Sequence, residues 1–162
     1  MGSMEQLDGL ILQGVGGFYM VEAADAVYTC RARGLFRKDN RSPVAGDRVI
    51  FRIGEDGTGV IETLKTRRNV LVRPPVANLD QLVVVASVAD PSPNTLVIDK
   101  MIALAEKNGI QPIVAITKAD LKTPDGLEYI YHQAGFPVFV ISLHEPESIE
   151  PLKRALLGKI SA

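Results

Sequence analysis

The sequence predicts a small antiparallel β-barrel followed by an α/β unit with a parallel sheet. Three observations predict it. Over residues 7–71, short apolar runs recur roughly every 8–12 residues with glycine turns between them. Beyond a proline-bearing connector, near-continuous apolar strands alternate with helical patterns. The charge balance changes at the same place: residues 1–73 carry 11 Lys and Arg against 9 Asp and Glu, and the remainder 7 against 10. With 46% hydrophobic and 23% charged residues the chain is globular, and its net charge of −1 gives no global attraction to polyanions.

The barrel elements come first. Leu10–Leu12 and Phe18–Val21 flank Gly14-Val15-Gly16-Gly17, a turn between two strands. No helical pattern follows those glycines, so they are not a dinucleotide fingerprint. Val27–Ala32 alternates, and Gly46-Asp47 precedes the strand Arg48–Ile53. Gly54–Gly59 is a turn before the last strand, Val60–Leu64. Five such strands suggest an OB-like closed barrel over residues 4–73. Met1-Gly2-Ser3, ahead of a second methionine, looks like an expression scar.

Between these strands, Cys30 to Arg41 carries Arg31, Arg33, Arg37, Lys38 and Arg41 against the single acid Asp39, with Leu35 and Phe36 interleaved. OB barrels bind single-stranded nucleic acid with a basic groove and stacking aromatics. Arg31, Arg33, Phe36, Arg37, Lys38 and Arg41 are therefore candidate RNA contacts. The alternative is a solvated loop with Phe36 in the barrel core. The only cysteine, Cys30, excludes an intrachain disulfide or a cysteine zinc cage within this chain. His132 and His144 lack partners at metal spacing. No apolar run approaches the ~20 residues of a membrane span, and no signal-peptide pattern stands at the start, so a cytoplasmic protein without membrane partners is expected.

Residues 74–79 open with Pro74-Pro75, a stiff connector. Residues 80–162 then read as three βα units. Gln81–Val88 is an apolar strand, and Asn94 caps a helix whose face is Leu96, Ile98, Met101, Ile102, Leu104 and Ala105, stopping at Asn108-Gly109. Gln111–Thr117 is a strand buried on both faces. A helix over about 125–134 ends at Gly135, Pro137–Ile141 is a third strand, and a last helix runs from near Ser148 through Leu157. Three βα units with strands buried on both faces imply a parallel sheet with right-handed crossovers.

The central strand ends in Thr117-Lys118-Ala119-Asp120. A carboxylate at the carboxyl end of a parallel strand stands where open α/β sheets bind ligands. There it can accept two parallel hydrogen bonds from N1–H and the N2 amino group of guanine, while the Lys118 stem can lie along the base. Asn/Thr-Lys-x-Asp is the guanine-specificity motif of GTPases. The bland alternative is that Thr117 or Asp120 only caps a turn. A phosphate loop, Gly-x-x-x-x-Gly-Lys-Ser/Thr, does not occur: Gly158-Lys159 is followed by Ile160, and Lys153 stands where the first glycine would be.

Taken together, Gly17–Val21, Cys30–Arg37, Gly46-Asp47-Arg48-Val49, Arg73–Gln81 and Gln111–Asp120 resemble the RsgA (YjeQ/YloQ) family, circularly permuted GTPases of small-ribosomal-subunit biogenesis. The resemblance implies an OB barrel, then a P-loop-GTPase-like sheet whose guanine motifs precede its phosphate loop. Residues 80–162 would be the N-terminal part of that GTPase domain, and the chain the front half of the protein. It implies GTP with Mg²⁺ as cofactor and a structural zinc in a C-terminal domain. The implied partners are the 30S subunit with its 16S rRNA, and GTP or GDP, for a monomeric, ribosome-stimulated hydrolase. On this sequence Lys118 and Asp120 would cover and read guanine. Thr117 stands where many GTPases have Asn, and Ser142-Leu143 aligns with the second guanine loop, Leu143 departing from its usual small residue. No residue is assigned to catalysis or to a metal, and the chain alone is expected to be inactive. The open alternative is a non-enzymatic RNA-binding OB adaptor.

Overall fold

The structure is a computed structural model that describes residues 6–34, 36 and 42–162. Arg37, Lys38, Arg41 and the initial Met1-Gly2-Ser3 lie outside the described residues. The chain divides into two compact units, one ending at Asn78 and one beginning at Leu79.

In the first unit, β1 (Gln6–Val15), β2 (Phe18–Ala23), β3 (Ala26–Ala32), β4 (Arg48–Ile53) and β5 (Gly59–Leu64) form a closed barrel in the order β1-β2-β3-β5-β4. Only β3 and β5 pair in parallel; β1 against β4 closes the sheet. Alternation along each strand sends one set of side chains inward, where Ile11, Val21, Cys30, Val49, Phe51 and Ile61 are fully buried. Gly16 and Gly17, both at positive φ, make the two-residue β1–β2 turn that matches strand twist. At Leu12 the β1–β2 register shifts, which bends β1 and leaves Leu12 exposed.

Cys30 shows how closed the barrel interior is. Burial pushes its thiol up to about 11, and the thiolate is the reactive form. A thiol reagent at pH 8 is expected to leave the native chain unlabelled and to react on unfolding. Rapid labelling of the native chain would mean that the barrel opens.

After β5 the chain stays bound to the barrel. A short ribbon of β6 (Val70–Leu71) and β7 (Val76–Ala77) joins it where Val76 bridges Ala45. Beneath it Asp47, fully buried, accepts a two-pronged bond from Arg67 (2.7 and 2.8 Å) and a third from the Val44 N–H (2.8 Å). The same guanidinium donates to the Ser42 carbonyl at 2.9 Å. Buried Asn78 accepts from the Arg68 N–H at 2.8 Å and donates to the Gly46 carbonyl at 2.9 Å.

The second unit holds β8 (Gln81–Ser87), α1 (Thr95–Lys107), β9 (Gln111–Thr117), α2 (Leu127–Gln133), β10 (Val138–Val140), a 3-10 turn at Pro146–Ile149 and α3 (Glu150–Leu156). Its sheet is parallel in the order β10-β9-β8. Asn94 caps α1 by accepting from the Val97 N–H, and Ile98, Ile102 and Ala105 bury its inner face. Tyr131 of α2 donates to Asp99 of α1 at 2.8 Å; burial first, and that bond second, push its phenol up to about 12.

Central β9 is buried on both faces from Pro112 to Ile116, as its unbroken apolar run requires. Strand β8 is not: Val85, in register with Ala115, is 66% exposed. Leu152 of α3 packs on Ile113 and Ala115, so that face of the sheet is covered over β9 and open at Val85. On the far edge of β8 the last residues add a further pairing. Val83 N–H donates to the Ala162 carbonyl at 2.8 Å, and Ser161 bridges Gln81. The buried Gln81 amide donates to Ser161 Oγ (2.9 Å) and the Ala155 carbonyl (3.2 Å).

Candidate functional site

The carboxyl end of β9 is built from its neighbours. Thr117 donates through Oγ1 to the Ala86 carbonyl of β8 at 3.3 Å, tying the ends of the two strands together. Lys118 leaves the strand at φ +61°, a left-handed conformation that costs a non-glycine residue about 1–2 kcal/mol. Two bonds hold the turn: Leu121 N–H donates to the Lys118 carbonyl (3.0 Å), and Lys118 Nζ donates to the Asp90 carbonyl (2.5 Å) in the β8–α1 loop. Ala119 N–H donates to the Ile141 carbonyl at 3.2 Å, drawing the motif to the end of β10.

There Asp120 meets the second predicted loop. Its Oδ1 accepts from the Leu143 N–H at 3.0 Å. Ser142 shapes that loop from both sides. Its N–H donates to Ser148 Oγ (3.0 Å), and its own Oγ accepts from the His144 N–H (3.2 Å). The Leu143 side chain is 81% exposed and takes no part in the bond to Asp120. The departure from a small residue at 143 thus leaves that link intact, because any residue but proline supplies the N–H.

The electrostatics fit a reader of donors. The Leu143 N–H holds the Asp120 carboxyl below the usual carboxylate range; its own backbone N–H and the charges of His144 and Lys118 act the same way, against partial burial. Ionised Asp120 only accepts, and its Oδ2 has no partner among the described residues. A guanine edge brings two donors in parallel, N1–H and N2–H, and adenine brings no such pair. Thr117, Lys118, Asp120, Ser142 and Leu143 are therefore gathered at one place. Among the described residues no group of three or more His, Cys, Asp or Glu stands together as metal ligands.

Of the predicted basic cluster, Arg31, Arg33 and Phe36 are among the described residues. Arg31 and Arg33 are exposed on and just after β3, and Arg33 pairs with Glu62 at 2.8 Å. Phe36 is half-buried and packs against the barrel core, the alternative that the sequence left open. An aromatic outside the predicted set, Phe18, lies exposed on β2 with the Arg31 guanidinium 4.7 Å from its ring centroid. The signal for it was alternation: Tyr19, Val21 and Ala23 face inward, so Phe18 faces out.

Comparison with known proteins bears on each of the two units. The family described as RsgA N-terminal domain matches residues 8–61, and that described as RsgA GTPase matches residues 64–162. A protein of Caldanaerobacter subterraneus subsp. tengcongensis named small ribosomal subunit biogenesis GTPase RsgA is 40% identical over 161 residues, covering 98% of this chain and 55% of its own. One of Oceanobacillus iheyensis, named small ribosomal subunit biogenesis GTPase RsgA 2, is 38% identical over 160 residues, with 95% and 55% covered. The chain spans about half the length of the curated relatives it matches. Among solved structures, YloQ, described as a circularly permuted GTPase, superposes with a TM-score of 0.78 at 34% identity, over 97% of this chain and 58% of that one. YjeQ from Thermotoga maritima gives 0.81 at 35% identity, with 97% and 59% covered. With a family match across each of its two units and relatives about 40% identical over nearly all of its length, the chain belongs to the RsgA GTPase family.

Proposed function

We propose that this chain supplies the guanine-reading half of a GTP site, and an rRNA-facing barrel, to a cytoplasmic, monomeric GTPase acting in late maturation of the 30S subunit. The observation that carries the reading is Asp120. It is an ionised carboxylate at the end of a parallel strand, fixed on one oxygen by the Leu143 N–H and unpartnered on the other. Lys118, arched at positive φ and tethered to the β8–α1 loop, lays its stem beside the base. Thr117 ties that floor to β8, and Ser142 keeps the 142–148 loop in shape. The names of the relatives supply the ribosomal context, and 16S rRNA is the corresponding partner of the barrel. When GTP and Mg²⁺ bind the whole protein, phosphate binding and hydrolysis fall to residues other than these, because no phosphate-loop pattern occurs in this sequence. A structural zinc likewise belongs to residues beyond this chain.

The test is hydrolysis by the full-length protein the gene encodes, with and without small ribosomal subunits, beside the 162-residue chain. The full-length protein is expected to hydrolyse GTP faster with subunits. The chain alone is expected to show no turnover and a GTP Kd weaker than about 1 mM, since base contacts alone supply little affinity. A full-length protein that ignores GTP while its barrel still binds RNA would overturn the GTPase reading in favour of an adaptor.

A further inference from the structure

The outer face of the barrel carries a row of side chains that the core does not need. Ladder partners run across it from Val15 on β1 to Phe18 on β2, Arg31 on β3, Val60 on β5 and Arg52 on β4. Phe18 is 44% exposed, with Met20 exposed beside it on the same face of β2. An aromatic left partly in water forgoes burial that its inward neighbours obtain. Its one ring partner among the described residues is Arg31, stacked at 4.7 Å. Arg52 at the end of the row and Arg33 beside it share a single acid, Glu62, at 3.1 and 2.8 Å. Arg31 forms none of these ion pairs, although the Asp56 carboxylate feels its charge, and Glu22 lies farther along the same face of β2. Around Phe18 itself three guanidinium groups gather about the one paired acid, Glu62, which keeps this end of the face positive.

We propose that Phe18 and Arg31 form a stacking platform for an unpaired base of single-stranded RNA, with Arg33 and Arg52 placed along the path of its phosphates. The inference rests on the rRNA-facing role given to the barrel and names the surface and the ligand chemistry. Every base has a π-face, so the ring accepts any base, and the Arg31 plane extends the platform while its charge meets the backbone. Charge complementarity selects a polyanion over a neutral protein surface. An apolar partner would want Phe18, Met20 and Val15 without three arginines among them. Phe36, packed on the core, is not needed for this platform.

The test is titration of the chain with a short single-stranded RNA carrying 2-aminopurine, at several salt concentrations. Phe18→Leu keeps an apolar side chain outside the core, so the barrel stays closed, read by Cys30 remaining unlabelled. It is expected to weaken binding roughly five- to a hundredfold. The salt slope should stay the same, and the fluorescence quench of the stacked base should be lost. Phe18→Trp is expected to restore both. Arg31→Lys keeps the salt slope and loses part of the affinity, because charge survives and the plane does not. Unchanged affinity and quench in Phe18→Leu would overturn the platform alone. A wild-type chain that binds no RNA at low salt would overturn the platform together with the barrel's rRNA role, and hydrolysis by the full-length protein would still report on the guanine site.

Discussion

Replacing Asp120 by asparagine in the full-length protein is expected to move its nucleotide preference from GTP to XTP. Asparagine keeps a carbonyl oxygen, so the Leu143 N–H that now donates to Oδ1 at 3.0 Å retains an acceptor and the 142–148 loop stays in place. The other carboxylate oxygen becomes an amide, which donates to the 2-oxo group of xanthine and opposes the N2 amino group of guanine. A bidentate base contact discriminates by roughly tenfold to a hundredfold. GTP turnover at sub-saturating nucleotide should fall by that factor and XTP turnover rise. The sign of the pH dependence follows from the same bond. Because the folded-state pKa of Asp120 is depressed, its carboxylate persists through mildly acidic pH. Guanine preference should be flat there and fade only as pH falls through that lowered value. A mutant that keeps GTP and gains no XTP turnover would remove Asp120 from base recognition.

The parts of the fold that alternation and apolar runs encode were legible, and the parts that depend on distant partners were not. Strands β1 to β5 announce themselves by period-two burial around Val21, Cys30 and Phe51, and β9 by an unbroken run from Pro112 to Ile116. Arg67 reads in sequence as one of several positive charges after the barrel. Its role as the partner of buried Asp47 requires residues twenty apart to meet, and nothing local marks it. The pairing of Ser161 with Gln81 across eighty residues was hidden for the same reason. Leu143 illustrates the opposite limit. Sequence compares side chains, whereas its bond to Asp120 runs through the backbone. Charge density drew attention to Phe36, while the strand pattern that puts Phe18 outside lay one element earlier.

Gly46→Ala is expected to unfold the barrel more readily than any exchange on its surface. Gly46 sits at φ +84°, where an added Cβ costs about 1–2 kcal/mol in backbone strain alone. That Cβ would also stand 1.9 Å from the Ala77 carbonyl oxygen, so backbone would have to move away from backbone. Neither side is free to do so. Gly46 N–H donates to the Ile11 carbonyl at 2.8 Å, its own carbonyl accepts from Asn78, and Ala77 N–H is held by the Ala45 carbonyl at 2.9 Å. Relaxing the clash therefore separates the 70–77 ribbon from β1 and strains the adjoining Asp47–Arg67 pair. A loss of about 3–5 kcal/mol is expected, at the upper end of single-residue effects and a large part of a small domain's stability. Asp47→Asn, which leaves Arg67 without its counter-charge, should cost less, about 2–3 kcal/mol. A quarter of the Arg67 side chain remains in water, so the penalty stays below that of a fully buried broken pair. The two effects should add to less than their sum, because both act on the same junction. Denaturant midpoints and the rate of Cys30 labelling measure both. If Gly46→Ala left the midpoint unchanged, the ribbon would not be docked as described, and Asp47 and Arg67 would then hold together only the 42–47 loop.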